Sequence, residues 1–376
     1  MTKKILIVDD SALMRRVLSD IIKTDKRFEL ADSAVNGIEA YDFVKADPRK
    51  YDIIILDINM PKMNGIEFLE KLDQEKIHQN VIIVSTIAKE GAAETIRCLE
   101  LGAIDFITKP DSFLETKSQS FGDRILGLMC ETLRMPREDA EAADTATTPG
   151  LIGRSRQETD MGGPMSYIRV TSYKKCNYRK VGPTANRLVA IACSTGGPKA
   201  LQQVIPMLPE GLNAPVLLVQ HMPVGFTGSL ASRLDEMSRL KVTEAVNGEV
   251  IEKGHVYIAK GGNHLRLKKS GRDYVIELGE DPPRDSLRPC ADIMYESLQS
   301  LDFDEITCVV LTGMGSDGTR GIGKLGTTRN IYVIAQDESS STVYGMPRMV
   351  AEAGLADEVV PLGSIADAIT KIVGTR

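Results

Sequence analysis

The sequence predicts an α/β protein built of two doubly wound, parallel-sheet domains. Short apolar runs alternate with helix-like stretches in both halves of the chain. Several of these runs are almost wholly apolar, as strands covered on both faces must be. Between the halves lies a stretch poor in large apolar residues. A length of 376 residues suits two domains at about 150 residues each.

In the first half the strand-like runs are Lys4–Val8, Phe28–Val35, Asp52–Leu56, Val81–Val84 and Ile104–Ile107. Helix-like segments such as Ala12–Ile22 and Gly91–Leu101 separate them. This rhythm predicts a (βα)5 domain over residues 1–125. A helix-like stretch follows at Phe121–Leu133, weakened by Gly122 and Gly127. Glu138–Thr159, rich in Glu, Asp, Ala, Thr and Gly, reads as a flexible linker. Taken with the Met161–Thr184 segment, it gives a linker over 126–185.

The second domain, 186–376, carries strand-like runs at Leu188–Cys193, Val216–Gln220, Ile306–Leu311 and Tyr332–Gln336. Lys199–Met207, Phe226–Met237, Cys290–Leu301 and Met346–Ala353 are helix-like. His255–Ala259, His264–Leu267 and Tyr274–Leu278 suggest a β-ribbon inserted into a Rossmann-like domain.

Composition narrows the function. The net charge of −6 provides no global basic field for DNA. No apolar run approaches the roughly 20 residues of a membrane span, so no direct membrane insertion is expected. The six cysteines include no Cys-x-x-Cys pair, which suits free thiols in a reducing cytoplasm.

In a parallel sheet, functional residues sit just past the C-terminal strand ends. In the first domain those positions hold Asp9, Asp10, Asp57, Ser85 and Lys109. Clustered carboxylates repel unless a hard cation sits among them, and Mg²⁺ takes oxygen ligands while leaving room for phosphate. Asp57 is then the phosphoryl acceptor, Lys109 the cation pairing with the phosphate, and Ser85 a hydrogen-bond donor to it. Singly, each residue also reads as an ordinary loop or turn position.

In the second domain the strand ends hold Ser194, His221 and, through the turn Thr312-Gly313-Met314-Gly315-Ser316, Asp317. Serine needs a neighbouring imidazole to take its proton, and the imidazole needs an acid to hold its tautomer. Ser194 runs into Thr195-Gly196-Gly197-Pro198, a turn into a helix whose N-terminal N–H groups suit an oxyanion. Gly313-Met314-Gly315 exposes further backbone N–H groups. The same Ser-Thr-Gly-Gly turn is also compatible with a phosphate-binding, non-catalytic module.

Residues 1 to about 125 resemble a response-regulator receiver domain. The resemblance rests on Ile5-Leu6-Ile7-Val8-Asp9-Asp10-Ser11, Leu56-Asp57-Ile58-Asn59-Met60-Pro61 with Gly65, Val84-Ser85 and Thr108-Lys109-Pro110. It implies phosphorylation of Asp57 by a histidine kinase and Mg²⁺ bound by Asp10, Asp57 and the Asn59 backbone beside Asp9. It also implies Phe106 as an aromatic switch and a cis bond before Pro110.

Residues 187–374 resemble the catalytic domain of the chemotaxis-specific protein-glutamate methylesterases. The matching pieces are Ala192-Cys193-Ser194-Thr195-Gly196-Gly197, Val219-Gln220-His221-Met222-Pro223, Gly254-His255-Val256-Tyr257-Ile258-Ala259, Leu311–Gly318, and Ala335-Gln336-Asp337-Glu338 with Gly345-Met346-Pro347. Cys193, Pro283–Pro289 and Lys260–His264 depart from that family's pattern.

The resemblance implies a Ser194, His221 and Asp317 triad, with Thr195 and the Met314 backbone positioning nucleophile and oxyanion and no cofactor in this domain. The implied reaction is hydrolysis of glutamyl methyl esters on chemoreceptor cytoplasmic helices, with deamidation of receptor glutamines. The implied control is a receiver that covers the cleft until phosphorylated. A DNA-binding output is the rival reading, and the chain lacks the basic recognition helix it needs.

Overall fold

The computed structural model describes residues 2–85, 89–110, 119–135, 173 and 175–376. The first domain has strands β1 (Lys3–Val8), β2 (Phe28–Ala34), β3 (Ile53–Asp57), β4 (Val81–Ser85) and β5 (Asp105–Thr108). Its helices are α1 (Ala12–Thr24), α2 (Gly37–Ala46), α3 (Gly65–Gln74), α4 (Lys89–Glu100) and α5 (Gln119–Thr132). The five strands pair in parallel in the order β2-β1-β3-β4-β5.

Alternation along the strands decides which helices they meet. Ile5, Ile7, Ile53, Ile55, Ile82 and Val84 pack against α1 and α5. Leu6, Val8, Ile54, Leu56 and Ile83 share a cluster with residues of α2, α3 and α4. Helix starts are capped: Ser11 accepts the Met14 N–H, and Asn64 and Glu67 form a reciprocal capping box.

The second domain is a seven-stranded parallel sheet in the order β14-β13-β12-β6-β7-β9-β8. Its strands are β6 (Arg187–Cys193), β7 (Val216–Gln220), β8 (Lys241–Glu244), β9 (His255–Ile258), β12 (Glu305–Val310), β13 (Ile331–Gln336) and β14 (Glu358–Val360). The antiparallel pair β10 (His264–Ser270) and β11 (Asp273–Gly279) stands apart. On one face α6 (Gly197–Val204), α7 (Phe226–Met237) and α11 (Ile365–Val373) cover Val189, Ile191 and Val309. On the other, α8 (Ala291–Ser297), α9 (Thr319–Gly326) and α10 (Met346–Glu352) cover Ala190, Ala192 and Val310. No described helix is long and apolar enough to cross a membrane.

Two expectations change, and two strands are added. The ribbon keeps two of its three runs: His255–Ile258 instead pairs in parallel with β7 and β8 inside the large sheet. Its four residues are all buried, which a ribbon strand facing solvent is not. Two short strands, Lys241–Glu244 and Glu358–Val360, carry too little apolar sequence to announce themselves. The cis bond expected at Lys109–Pro110 is absent; among the described residues the cis X–Pro bond is Arg288–Pro289. With a trans bond Lys109 already reaches Asp9 and Asp57, and trans is favoured by about 0.5–1 kcal/mol at X–Pro.

The expected linker, 126–185, is anchored at both ends. Leu128 and Met129 pack into the first core. Tyr173 packs on the second, and the Tyr178 hydroxyl donates to Glu305 at 2.7 Å. Residues 136–172 and 174 lie outside the described residues.

Candidate active site

Both sheets change winding direction beside their first strand, and both candidate sites sit there. In the first domain the switch falls between β1 and β3. Asp9 and Asp10 follow β1, and Asp57 ends β3. Carboxylate oxygens of these three residues lie within 4.8 Å of one another. Lys109 Nζ spans two of them, 2.9 Å from Asp9 and 2.8 Å from Asp57.

Burial pushes the Asp57 carboxyl up, and the Lys109 ammonium pulls it back. Burial works against the Lys109 charge, but Asp57 and Asp9 outweigh it and hold the ammonium above its ordinary value. Ser85 is buried at the end of β4, 3.1 Å from the Thr95 hydroxyl. Asn59 is exposed and donates to Glu94 at 3.3 Å. Three converging carboxylates facing one ammonium keep excess negative charge, which fits a hard divalent cation.

In the second domain the switch lies between β12 and β6. Ser194 follows β6, and its N–H donates to the Thr312 carbonyl past the end of β12. Cys193 pairs in register with Gln220 of β7, so Ser194 and His221 leave the sheet side by side. His221 Nε2 lies 2.7 Å from Asp317 Oδ2. The ring nitrogen left over is Nδ1. Among the described residues no hydrogen bond joins the Ser194 hydroxyl to His221, and such contacts tighten when substrate binds.

Asp317 is held by many donors. Ala291 N–H reaches it at 2.6 Å, Asp292 N–H and Gly318 N–H each at 2.9 Å. Burial works against its charge, but His221 and these peptide donors win and hold its carboxyl well below the usual range. Gly313 is where the loop passes the serine. A Cβ there would stand 2.8 Å from Ser194 Cβ and 2.5 Å from Met346 Sδ. Met314, half-buried, is the next residue of that loop, and Thr195 is buried in the turn after Ser194.

The receiver-like domain reaches this site. Asp105, the first residue of β5, lies beside the Thr195 side chain. Phe106 stacks on Phe226, the first residue of α7. Glu100 of α4 pairs with Arg233 of α7.

Several residues of the site carried no role in the sequence reading. Gln220 Nε2 donates to the Ser194 and His221 carbonyls at 3.0 and 3.2 Å, and Gln336 accepts the Thr312 N–H at 2.8 Å. Both are polar residues ending apolar strands, which is the signal that marks them, since a buried amide must find partners. Asp105 and Asp292 carry no comparable signal. The other histidines of this domain have partners of their own. His255 is buried, stacks on Tyr257 and meets the Thr243 hydroxyl at 2.8 Å. His264 is buried with Nε2 on the Pro282 carbonyl.

The chain is similar to known proteins over both domains. Residues 189–369 match the family model described as CheB methylesterase, and residues 5–117 match the response regulator receiver domain. A protein-glutamate methylesterase/protein-glutamine glutaminase of Geobacillus kaustophilus is 38% identical over 373 residues, 99% of each chain. One of Pyrococcus abyssi is 39% identical over 371 residues, 98% of this chain and 93% of its own. The Thermotoga maritima CheB methylesterase catalytic domain is 40% identical, with TM-score 0.49, over 50% of this chain and all of its own.

Proposed function

This chain belongs to the CheB methylesterase family, and we propose that Ser194, His221 and Asp317 are the groups with which it hydrolyses glutamyl methyl esters of chemoreceptors. The activity is that of a protein-glutamate methylesterase and protein-glutamine glutaminase under receiver control. The observation that carries the residue assignment is the His221–Asp317 contact of 2.7 Å, one strand away from Ser194.

Ser194 Oγ attacks the γ-carbonyl carbon while His221 takes its proton at the nitrogen that Asp317 does not hold. Asp317, ionised, fixes the imidazole and balances its positive charge. Backbone N–H groups at Thr195 and Met314 hold the tetrahedral oxyanion. The C–O bond to methanol breaks as His221 returns the proton to the leaving oxygen. Water then cleaves the acyl-enzyme by the same route, leaving a glutamate carboxylate. A glutamine γ-amide follows the same path with ammonia leaving. No cofactor enters these steps.

Asp57 is the phosphoryl acceptor from the chemotaxis histidine kinase. Asp9, Asp10, Asp57 and the Asn59 backbone are the groups to hold Mg²⁺, which supplies charge neutralisation for the incoming phosphate. Lys109 and Ser85 hold the phosphoryl oxygens, and Phe106 relays the change. In the closed arrangement Asp105 and Phe106 occupy the approach to Thr195 and α7, so substrate access requires the domains to part. The protein acts in the cytoplasm on receptor helices, without DNA and without inserting into the membrane.

Methanol release from a methyl-esterified receptor fragment tests both halves. Wild type accelerates with a small phosphoryl donor, Asp57→Asn keeps a basal rate, and Ser194→Ala releases none. Release that survives Ser194→Ala removes the assignment.

A further inference from the structure

A second buried carboxylate stands directly behind Asp317. Asp292, in the first turn of α8, is fully buried. Its Oδ1 accepts the Gly318 N–H at 2.9 Å and the Gly321 N–H at 2.7 Å. The Gly318 N–H is shared, because it also lies 2.9 Å from Asp317 Oδ1. Asp292 Oδ2 takes the Arg320 Nε–H at 2.9 Å. Arg320 continues outward to Asp285. The two helices meet closely enough that a Cβ on Gly321 would stand 2.7 Å from the Asp292 carbonyl oxygen.

Simple capping does not need this arrangement. A neutral amide or hydroxyl could accept the same N–H groups, whereas two buried carboxylates sharing one donor repel. Burial and the charge of Asp317 push the Asp292 carboxyl up, and Arg320 pulls it back. The other titratable groups around it are the Cys290 thiol, which donates to Asp317 at 3.2 Å, the Tyr295 phenol and the Arg284 guanidinium. What a second negative charge here can favour is a cation just beyond Asp317, and the side chain on the far side of Asp317 is His221.

We propose that Asp292 is a positioning residue for Asp317: it fixes the Asp317 loop through Gly318 and Gly321 and favours the protonated form of His221, with Arg320 as the opposing charge. The proposal rests on reading His221 and Asp317 as base and acid of the hydrolase. Removal of the negative charge therefore disfavours the imidazolium, and removal of Arg320 favours it.

The test follows the His221 ring by nitrogen-15 NMR against pH in the full-length protein, comparing wild type, Asp292→Asn and Arg320→Gln. The chain has four histidines, so assignment by substitution is simple. The expected result is a midpoint lowered by about half a pH unit in Asp292→Asn and raised by a similar amount in Arg320→Gln. Ester hydrolysis by Asp292→Asn falls about tenfold or more in kcat with KM little changed. Coincident midpoints in all three proteins, or shifts of the same sign in both variants, overturn the proposal. Should Asp292→Asn fail to fold, the upward shift in Arg320→Gln, whose side chain is 36% exposed, decides alone. If hydrolysis persists in Ser194→Ala, the hydrolase assignment falls, while the two opposite shifts still establish the coupling of Asp292 to His221.

Discussion

The ring of Phe106 stacks on the ring of Phe226, with centroids 4.6 Å apart and planes 25° apart. Phe106 belongs to the last strand of the receiver domain, and Phe226 opens the helix that follows the loop carrying His221. The last strand of the domain that carries Asp57 is thereby joined to the His221 edge of the other domain. Asp105 beside Thr195 and the Glu100–Arg233 ion pair flank the stack.

Loss of the stack loosens the cover. An aromatic pair contributes about 0.5–1.5 kcal/mol beyond its buried area, so Phe106→Ala raises the unphosphorylated esterase rate by about 2- to 10-fold. Methanol release without a phosphoryl donor measures it. A basal rate at or below wild type contradicts the role given to the ring.

The Glu100–Arg233 pair contributes less. Arg233 is 38% exposed, and an exposed pair is worth about 0.2–1 kcal/mol and is screened by salt. Arg233→Ala therefore raises the basal rate less than Phe106→Ala does, and the difference from wild type disappears in about 0.5 M salt. An effect that grows with salt counts against an electrostatic contact.

Asp105 is expected to make the closed arrangement pH-dependent. At the interface its carboxyl is pushed up to about 6 by burial, against the pull of the Phe106 N–H, Thr195 and Arg124. Once the domains part it returns toward the ordinary value of about 3.9. The closed form thus binds more protons between those values, and it gains on the open form as pH falls from 7 through 6. Energy transfer between dyes on the two domains should report closure on acidification. Asp105→Asn, neutral throughout, should remain closed with no change across pH 5 to 7.

Asp317→Asn leaves the shape of the site but removes the charge that holds the imidazole. By analogy with serine proteases the loss is about 10⁴-fold in kcat. Because the Asp317 carboxyl is depressed in the folded protein, the stability it brings is present above the unfolded value of about 3.9 and lost as pH falls below it. Denaturant midpoints of wild type and Asp317→Asn should therefore converge in acid. Steady-state kinetics at pH 7 that show less than a tenfold loss in kcat dispose of its role.

Gly313→Ala tests the close passage of the loop. The added methyl meets Ser194 Cβ and Met346 Sδ at less than contact distance. Displacement of the serine by even about 1 Å costs about 100-fold in rate, so kcat should fall at least that far. Labelling by a serine-directed phosphonate slows in parallel. A variant labelled at the wild-type rate shows that the loop can shift without moving Ser194.

The sequence by itself determined the two α/β domains and the residues at their strand ends. Apolar runs such as Ile53–Leu56 and Leu188–Cys193 are buried along their whole length. Functional groups of parallel sheets gather just past such runs, so the strand-end positions of Asp57, Ser194 and His221 are legible from local pattern alone. Tertiary structure decided what pattern cannot carry. His255–Ile258 joins the large sheet because partners distant in the chain, β7 and β8, complete its hydrogen bonds. Asp292 meets the Asp317 loop only because α8 and α9 pack against each other at Gly321. Asp105 meets Thr195 only because one domain docks on the other. Each of these depends on a long-range contact whose energy lies in the burial of both partners, and neither partner's local sequence records the other.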